Sequence, residues 1–132
     1  MSAPSPRPHI VFLPDAGPDV GLGHVSRCVA LGRAAAAEGA RVSFLVAEDA
    51  QAAALLRRAD AAMLGMAAKM NDAAALARVR EAEADVVVVD SYEASPEFLG
   101  SLRRAAGQVV AVDDLADSPL PVDVVVNGGV AA

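Results

Sequence analysis

Short runs rich in Val, Ile and Leu alternate along this chain with runs rich in alanine, and that alternation most narrows the folds open to it. A β-branched run followed by a helical run, repeated, predicts a parallel sheet covered by helices on both faces. Strands are predicted at His9 to Leu13, Arg41 to Ala47, Asp85 to Asp90, Gln108 to Val112 and Val122 to Val126. Asp60 to Met66 is ambiguous, a candidate for one short strand more. A first helix is predicted from about His24 to Glu38, with Val25, Cys28, Val29 and Gly32 on one face and Gly39 as its stop. A second runs from Glu48 to Arg58, with acids at its start and arginines at its end. Asn71-Asp72 caps a third, whose Leu76, Val79 and Ala82 face the sheet, and Ser95-Pro96-Glu97 opens a fourth with Phe98, Leu99 and Leu102 as its buried stripe. The fold class is α/β, a doubly wound, mostly parallel, Rossmann-like sheet.

A chain of 132 residues with 55% hydrophobic content supports one domain without disulfides or a structural metal. Residues 1–8 read as a flexible proline-rich leader and 9–132 as the domain. Cys28 is the single cysteine, which excludes an internal disulfide and a cysteine-rich zinc site and fits a reducing cytoplasm. With no Trp, 3% aromatic residues and a net charge of −6, neither nucleic acid nor an anionic membrane is an expected partner. The leader has no apolar signal region, and no later stretch approaches the roughly 18 to 20 apolar residues that span a bilayer. The chain ends on Asn127-Gly128-Gly129-Val130-Ala131-Ala132, directly after a strand that would feed another helix, so a continuation into a second domain is expected.

In open α/β sheets ligands bind beyond the carboxyl ends of the strands, and this chain places polar residues there. Asp15 follows the first strand, Asp90-Ser91-Tyr92 the fourth run, Asp113-Asp114 the next, and Asn127 the last. Between the first strand and first helix, Gly21-Leu22-Gly23-His24-Val25-Ser26-Arg27 forms a glycine-broken turn. Gly21 and Gly23 permit φ > 0 or close approach to a ligand, and the helix start offers N–H groups to an anion. The positive helix end disfavours a proton on His24, which leaves its imidazole neutral and able to act as a base. Duller roles exist for each group. Asp90, Asp113 and Asp114 also read as loop or helix caps, Tyr92 as a cover of the rim, and His24 as a capping histidine. Arg27 reads equally as a phosphate ligand and as a solvated arginine, Cys28 as packed core, and His9 as inert and far from the rim.

The blocks Asp15-Ala16, Gly21-Leu22-Gly23-His24-Val25-Ser26-Arg27-Cys28 and Val112-Asp113-Asp114-Leu115-Ala116-Asp117 occur in the order found in one enzyme group. On them the chain resembles the N-terminal half of the UDP-sugar hydrolases of pseudaminic acid biosynthesis and their spore-coat polysaccharide relatives. Those enzymes look like inverting glycosyltransferases of the two-domain GT-B fold that pass the sugar to water. The resemblance implies that a UDP-linked amino-deoxyhexose is the substrate, that His24 is the general base, and that Tyr92 stands in the active-site cleft. It implies that Gly21 and Gly23 admit the diphosphate and that Asp113 and Asp114 line the cleft near the sugar; cleaving an anomeric C–O bond with diphosphate as leaving group needs a base and charge stabilisation, so no metal or cofactor is expected. It also implies a C-terminal nucleotide-binding domain, supplied in cis or in trans, without which this chain is inactive or very weak. Leu13-Pro14 departs from the family, which has a polar residue just before Asp-Ala.

Three rival readings stand beside it, and sequence alone barely separates the third from the hydrolase. A nicotinamide-dependent oxidoreductase would use Gly21-x-Gly23 and Glu48, but Ser26 stands where its third glycine belongs. A phospho-acceptor receiver would carry its acid pair after the first strand, not at Asp113-Asp114. A true glycosyltransferase would use the same base on a hydroxyl acceptor in place of water.

Overall fold

The computed structural model describes residues 7–15, 22–47, 49–59, 63–67, 73–91, 94–112 and 124–126. Strands β1 (His9–Pro14), β2 (Arg41–Ala47), β3 (Met63–Ala67), β4 (Val86–Asp90), β5 (Gln108–Val112) and β6 (Val124–Val126) alternate with helices α1 (Gly23–Ala37), α2 (Ala50–Arg58), α3 (Ala73–Glu81) and α4 (Pro96–Ala105). The strands form one six-stranded sheet in the order β3-β2-β1-β4-β5-β6. Every pairing in it is parallel. This is the doubly wound order, whose direction reverses between β1 and β4 and so opens a crevice beyond their carboxyl ends.

Strand parity sorts the core into two layers, because successive side chains point to opposite faces. Val11, Leu13, Val87, Val89 and Val109 pack with Ala75 and Val79 of α3 and with Phe98, Leu99 and Leu102 of α4. Phe12, Phe44, Val46, Val88 and Val112 pack on the other face with Val25, Cys28 and Val29 of α1 and Ala52 and Leu56 of α2. Phe12 and Phe44 stack with centroids 5.3 Å apart. Gly32 makes this contact close, since a Cβ there would sit 3.0 Å from Val42 Cγ1 and 3.1 Å from the Phe44 ring. The predicted stripe of α1 is thus its buried face.

Local chemistry sets the element ends. Asp49 caps α2 by accepting from the Ala52 N–H, which starts this helix two residues later than the acid-led run suggested. Ser95 caps α4 through the Phe98 N–H, with Pro96 at the first helical position. Past α1, Gly39 takes φ +98°, a conformation in which glycine lacks the Cβ penalty. The ambiguous Asp60 to Met66 run resolves into β3, and β6 is shorter than its valine-rich run. The Asn71-Asp72 cap and all of the 1–8 leader except Arg7 and Pro8 lie outside the described residues. No helix among those described is long and apolar enough to cross a membrane.

Candidate functional site

At the switch point, β1 and β4 run in register with Pro14 opposite Asp90. The Asp15 N–H donates to the Asp90 carbonyl at 2.8 Å and ties the two strand ends together. Asp90 has the same parity as Val86 and Val88, so its side chain points toward α1. There the first turns of that helix present His24, Arg27 and Cys28 at the i, i+3, i+4 spacing of a single face.

The Asp90 carboxylate has no exposure to solvent, and three side chains converge on it. His24 Nδ1 lies 2.5 Å from Oδ1. Arg27 donates from Nε to Oδ2 and from Nη2 to Oδ1, each at 2.7 Å, a forked pairing that matches guanidinium to carboxylate. Cys28 Sγ is 3.9 Å from Oδ2. A carboxylate accepts, so His24 Nδ1 carries the proton toward Asp90, and in the neutral ring Nε2 then holds the lone pair. Burying a carboxylate in this way requires such partners, since an unpaired charge in the interior is strongly disfavoured. Among the described residues no buried side-chain N or O atom lacks a hydrogen-bond partner. Burial pushes the Cys28 thiol far up from its ordinary range; the Asp90 charge and hydrogen bond push the same way, and Arg27 opposes them. Cys28 is therefore a protonated core thiol and not a nucleophile.

Several sequence expectations change against this geometry. Asp90 is expected among the ligand-facing acids; its oxygens instead face α1, because strand parity directs them inward, and they hold His24 and Arg27. Arg27 is neither purely solvated nor aimed only outward, since its side chain is 30% exposed while its fork closes on Asp90. His24 is expected at an open lip under the influence of a helix end alone; its ring is 9% exposed and lies against a carboxylate. Gly23 does not use φ > 0, and nothing lies within 4 Å of a Cβ built there, so no close packing within the described protein demands glycine. Leu22 gives α1 no side-chain cap. Asp15 is buried next to the cluster. Gly21, Tyr92, Asp113, Asp114 and Asn127 lie outside the described residues, as does Glu48, on which the nicotinamide reading depends.

Two other features are separate from this cluster. An open groove between α1 and α2 is lined by Ser26, Val29, Arg33, Leu55, Arg58 and Ala59. At the opposite end of the sheet, buried His9 joins Ala82 and Ser43 through its two ring nitrogens. No group of three or more His, Cys, Asp or Glu side chains among the described residues is arranged to hold a metal ion.

Among solved structures, the chain is similar to one described as the glycotransferase of kitacinnamycin, with a TM-score of 0.51 and 20% identity. The likeness is one of fold. It covers 82% of this chain but only 31% of that protein, so the chain spans under a third of the structure it matches. No protein-family model matches the chain. No curated protein matches it either. The α/β architecture is thus a Rossmann-like fold shared with part of that protein, and the chemistry has to be argued from the site.

Proposed function

We propose that this chain is the N-terminal, acceptor-side domain of a nucleotide-sugar glycosyltransferase, with His24 as the general base. The observation that carries the reading is the His24–Asp90 pair at the β1/β4 switch point, in a fold shared with part of a glycotransferase. His24 Nε2 takes the proton from an acceptor hydroxyl as that oxygen attacks the anomeric carbon. The anomeric C–O bond breaks at the same time, and its electron pair leaves with the diphosphate. Asp90 keeps the Nδ1 proton in place and stabilises the imidazolium that results, so it is a positioning residue. A base placed this way contributes about 10²- to 10⁴-fold in rate.

The N–H groups at the start of α1 favour an anionic ligand such as the diphosphate. A second domain, in cis or in trans, supplies the nucleoside site, with UDP as the proposed nucleotide. The Gly21 to Cys28 and Val112 to Asp117 blocks favour a second reading in which water replaces the hydroxyl acceptor and the enzyme is a UDP-sugar hydrolase.

The test is turnover of UDP-linked hexosamines by the complete protein that carries this chain, with and without His24→Ala. A loss of at least a hundredfold with folding intact is expected, and near-parental turnover refutes the role. Release of UDP in the absence of any hydroxyl acceptor would select the hydrolase reading.

A further inference from the structure

We propose that the groove between α1 and α2 is a docking site for an acidic segment of a protein partner, in which carboxylates flank an apolar side chain. Neither helix contains an Asp or a Glu: α1 carries Arg27 and Arg33, and α2 carries Arg57 and Arg58. This layer is positive in a chain whose net charge is −6. Arg27 is committed to the buried Asp90 carboxylate. Arg33 and Arg58 are exposed, and among the described residues neither pairs with a carboxylate.

Helical spacing brings these two charges to one place. Ser26, Val29 and Arg33 recur at i, i+3 and i+7 on α1, and Leu55, Arg58 and Ala59 at i, i+3 and i+4 on α2, so both faces line the same groove. Val29, Leu55 and Ala59 give it an apolar lining, and each helix contributes one guanidinium. Arginine forks onto carboxylate oxygens while its stem covers apolar surface.

Size selects the class of occupant. The groove is open and holds about 200 Å³, short of the roughly 300 to 1,000 Å³ of pockets that enclose a small ligand. It suits one inserted side chain of a larger body whose flanking carboxylates reach Arg33 and Arg58. An acidic amphipathic segment presents that pattern. A nucleic acid is disfavoured, because the lining has no aromatic ring on which a base could stack and the acidic chain repels a long polyanion.

The experiment is fluorescence anisotropy of a labelled helical peptide of leucine and glutamate, added to the complete protein that carries this chain. Saturable binding that weakens with added salt is expected. Arg33→Ala and Arg58→Ala should each weaken it about fivefold or more. Arg80→Ala makes the same charge change on α3 and should leave it unaltered. Absence of binding overturns the proposal, as does equal weakening in all three variants, which would mean attraction to overall charge alone. Equal affinity for a leucine–lysine counterpart or for a single-stranded oligonucleotide overturns it too. Displacement of the peptide by inorganic phosphate at constant ionic strength would assign the groove to a small anion instead. Self-association of the protein that Arg33→Ala and Arg58→Ala abolish would assign it to a second copy of the chain, and either result overturns the proposal. Turnover plays no part in the readout, so the reading of His24 stands or falls separately.

Discussion

The two ends of the sheet each bury a histidine, and their surroundings are opposites. At the amino end, His9 Nδ1 donates to the Ala82 carbonyl at 3.0 Å and Nε2 accepts from the Ser43 hydroxyl at 2.8 Å. Its own backbone N–H donates to Asp85. Both ring nitrogens thus meet uncharged partners that hold β1, β2 and the α3–β4 turn together, which is a structural role. At the carboxyl end, His24 meets a buried carboxylate that also binds a permanent cation. Proton uptake at His24 changes the charge of a cluster instead of only rearranging neutral hydrogen bonds. Burial alone does not distinguish the two histidines; the charge of the partner does.

The largest expected effect that would break this contrast is on turnover. His24→Ala should lower turnover of the complete protein by about 10²-fold or more, while His9→Ala should leave turnover per folded molecule unchanged. Equal losses in the two variants would erase the distinction.

Stability comes next, and there the two ends should both respond. Asp90→Ala leaves Arg27 without its carboxylate and should cost about 3 kcal/mol in denaturant unfolding. The cost stays at the lower end of the range for broken buried pairs because Arg27 can reach water. His9→Ala strands the Ser43 hydroxyl and the Ala82 carbonyl and should cost about 2 kcal/mol in the same measurement. A neutral result for either substitution would show that the hydrogen bonds are not formed in solution.

Thiol chemistry sharpens the description of the His24 end. Because burial raises the Cys28 thiol and Asp90 adds to that, iodoacetamide at pH 8 should label the native chain far more slowly than the urea-unfolded chain. Comparable rates, followed by mass spectrometry, would mean that this end opens readily. The smallest effect is expected away from both clusters. Ser95→Ala removes the α4 cap and should cost about 1 kcal/mol without altering either histidine.

Much of this architecture is legible in one dimension. The valine runs mark the strands because a strand buried on both faces needs apolar β-branched side chains at every position. Ser95-Pro96 and Gly39 mark helix ends because capping and positive φ are local demands. Even the His24 cluster has a sequence signature that parity exposes: Asp90 shares the face of Val86 and Val88, and positions 24, 27 and 28 share one face of α1. What that reasoning did not supply was the pairing of those two faces. Treating strand-end acids as ligand-facing placed Asp90 at the rim, and treating the helix end as the only influence on His24 left out the carboxylate beside it.

Alternation and local capping thus specify the layered fold and nominate His24, because periodicity and backbone demands act over a few residues. The meeting of Asp90 with His24 and Arg27 spans more than sixty positions of chain. It depends on β4 lying beside β1 in the sheet order, a choice made by the packing of whole elements. Only that long-range contact separates the histidine that fastens the fold from the one in a position to move a proton.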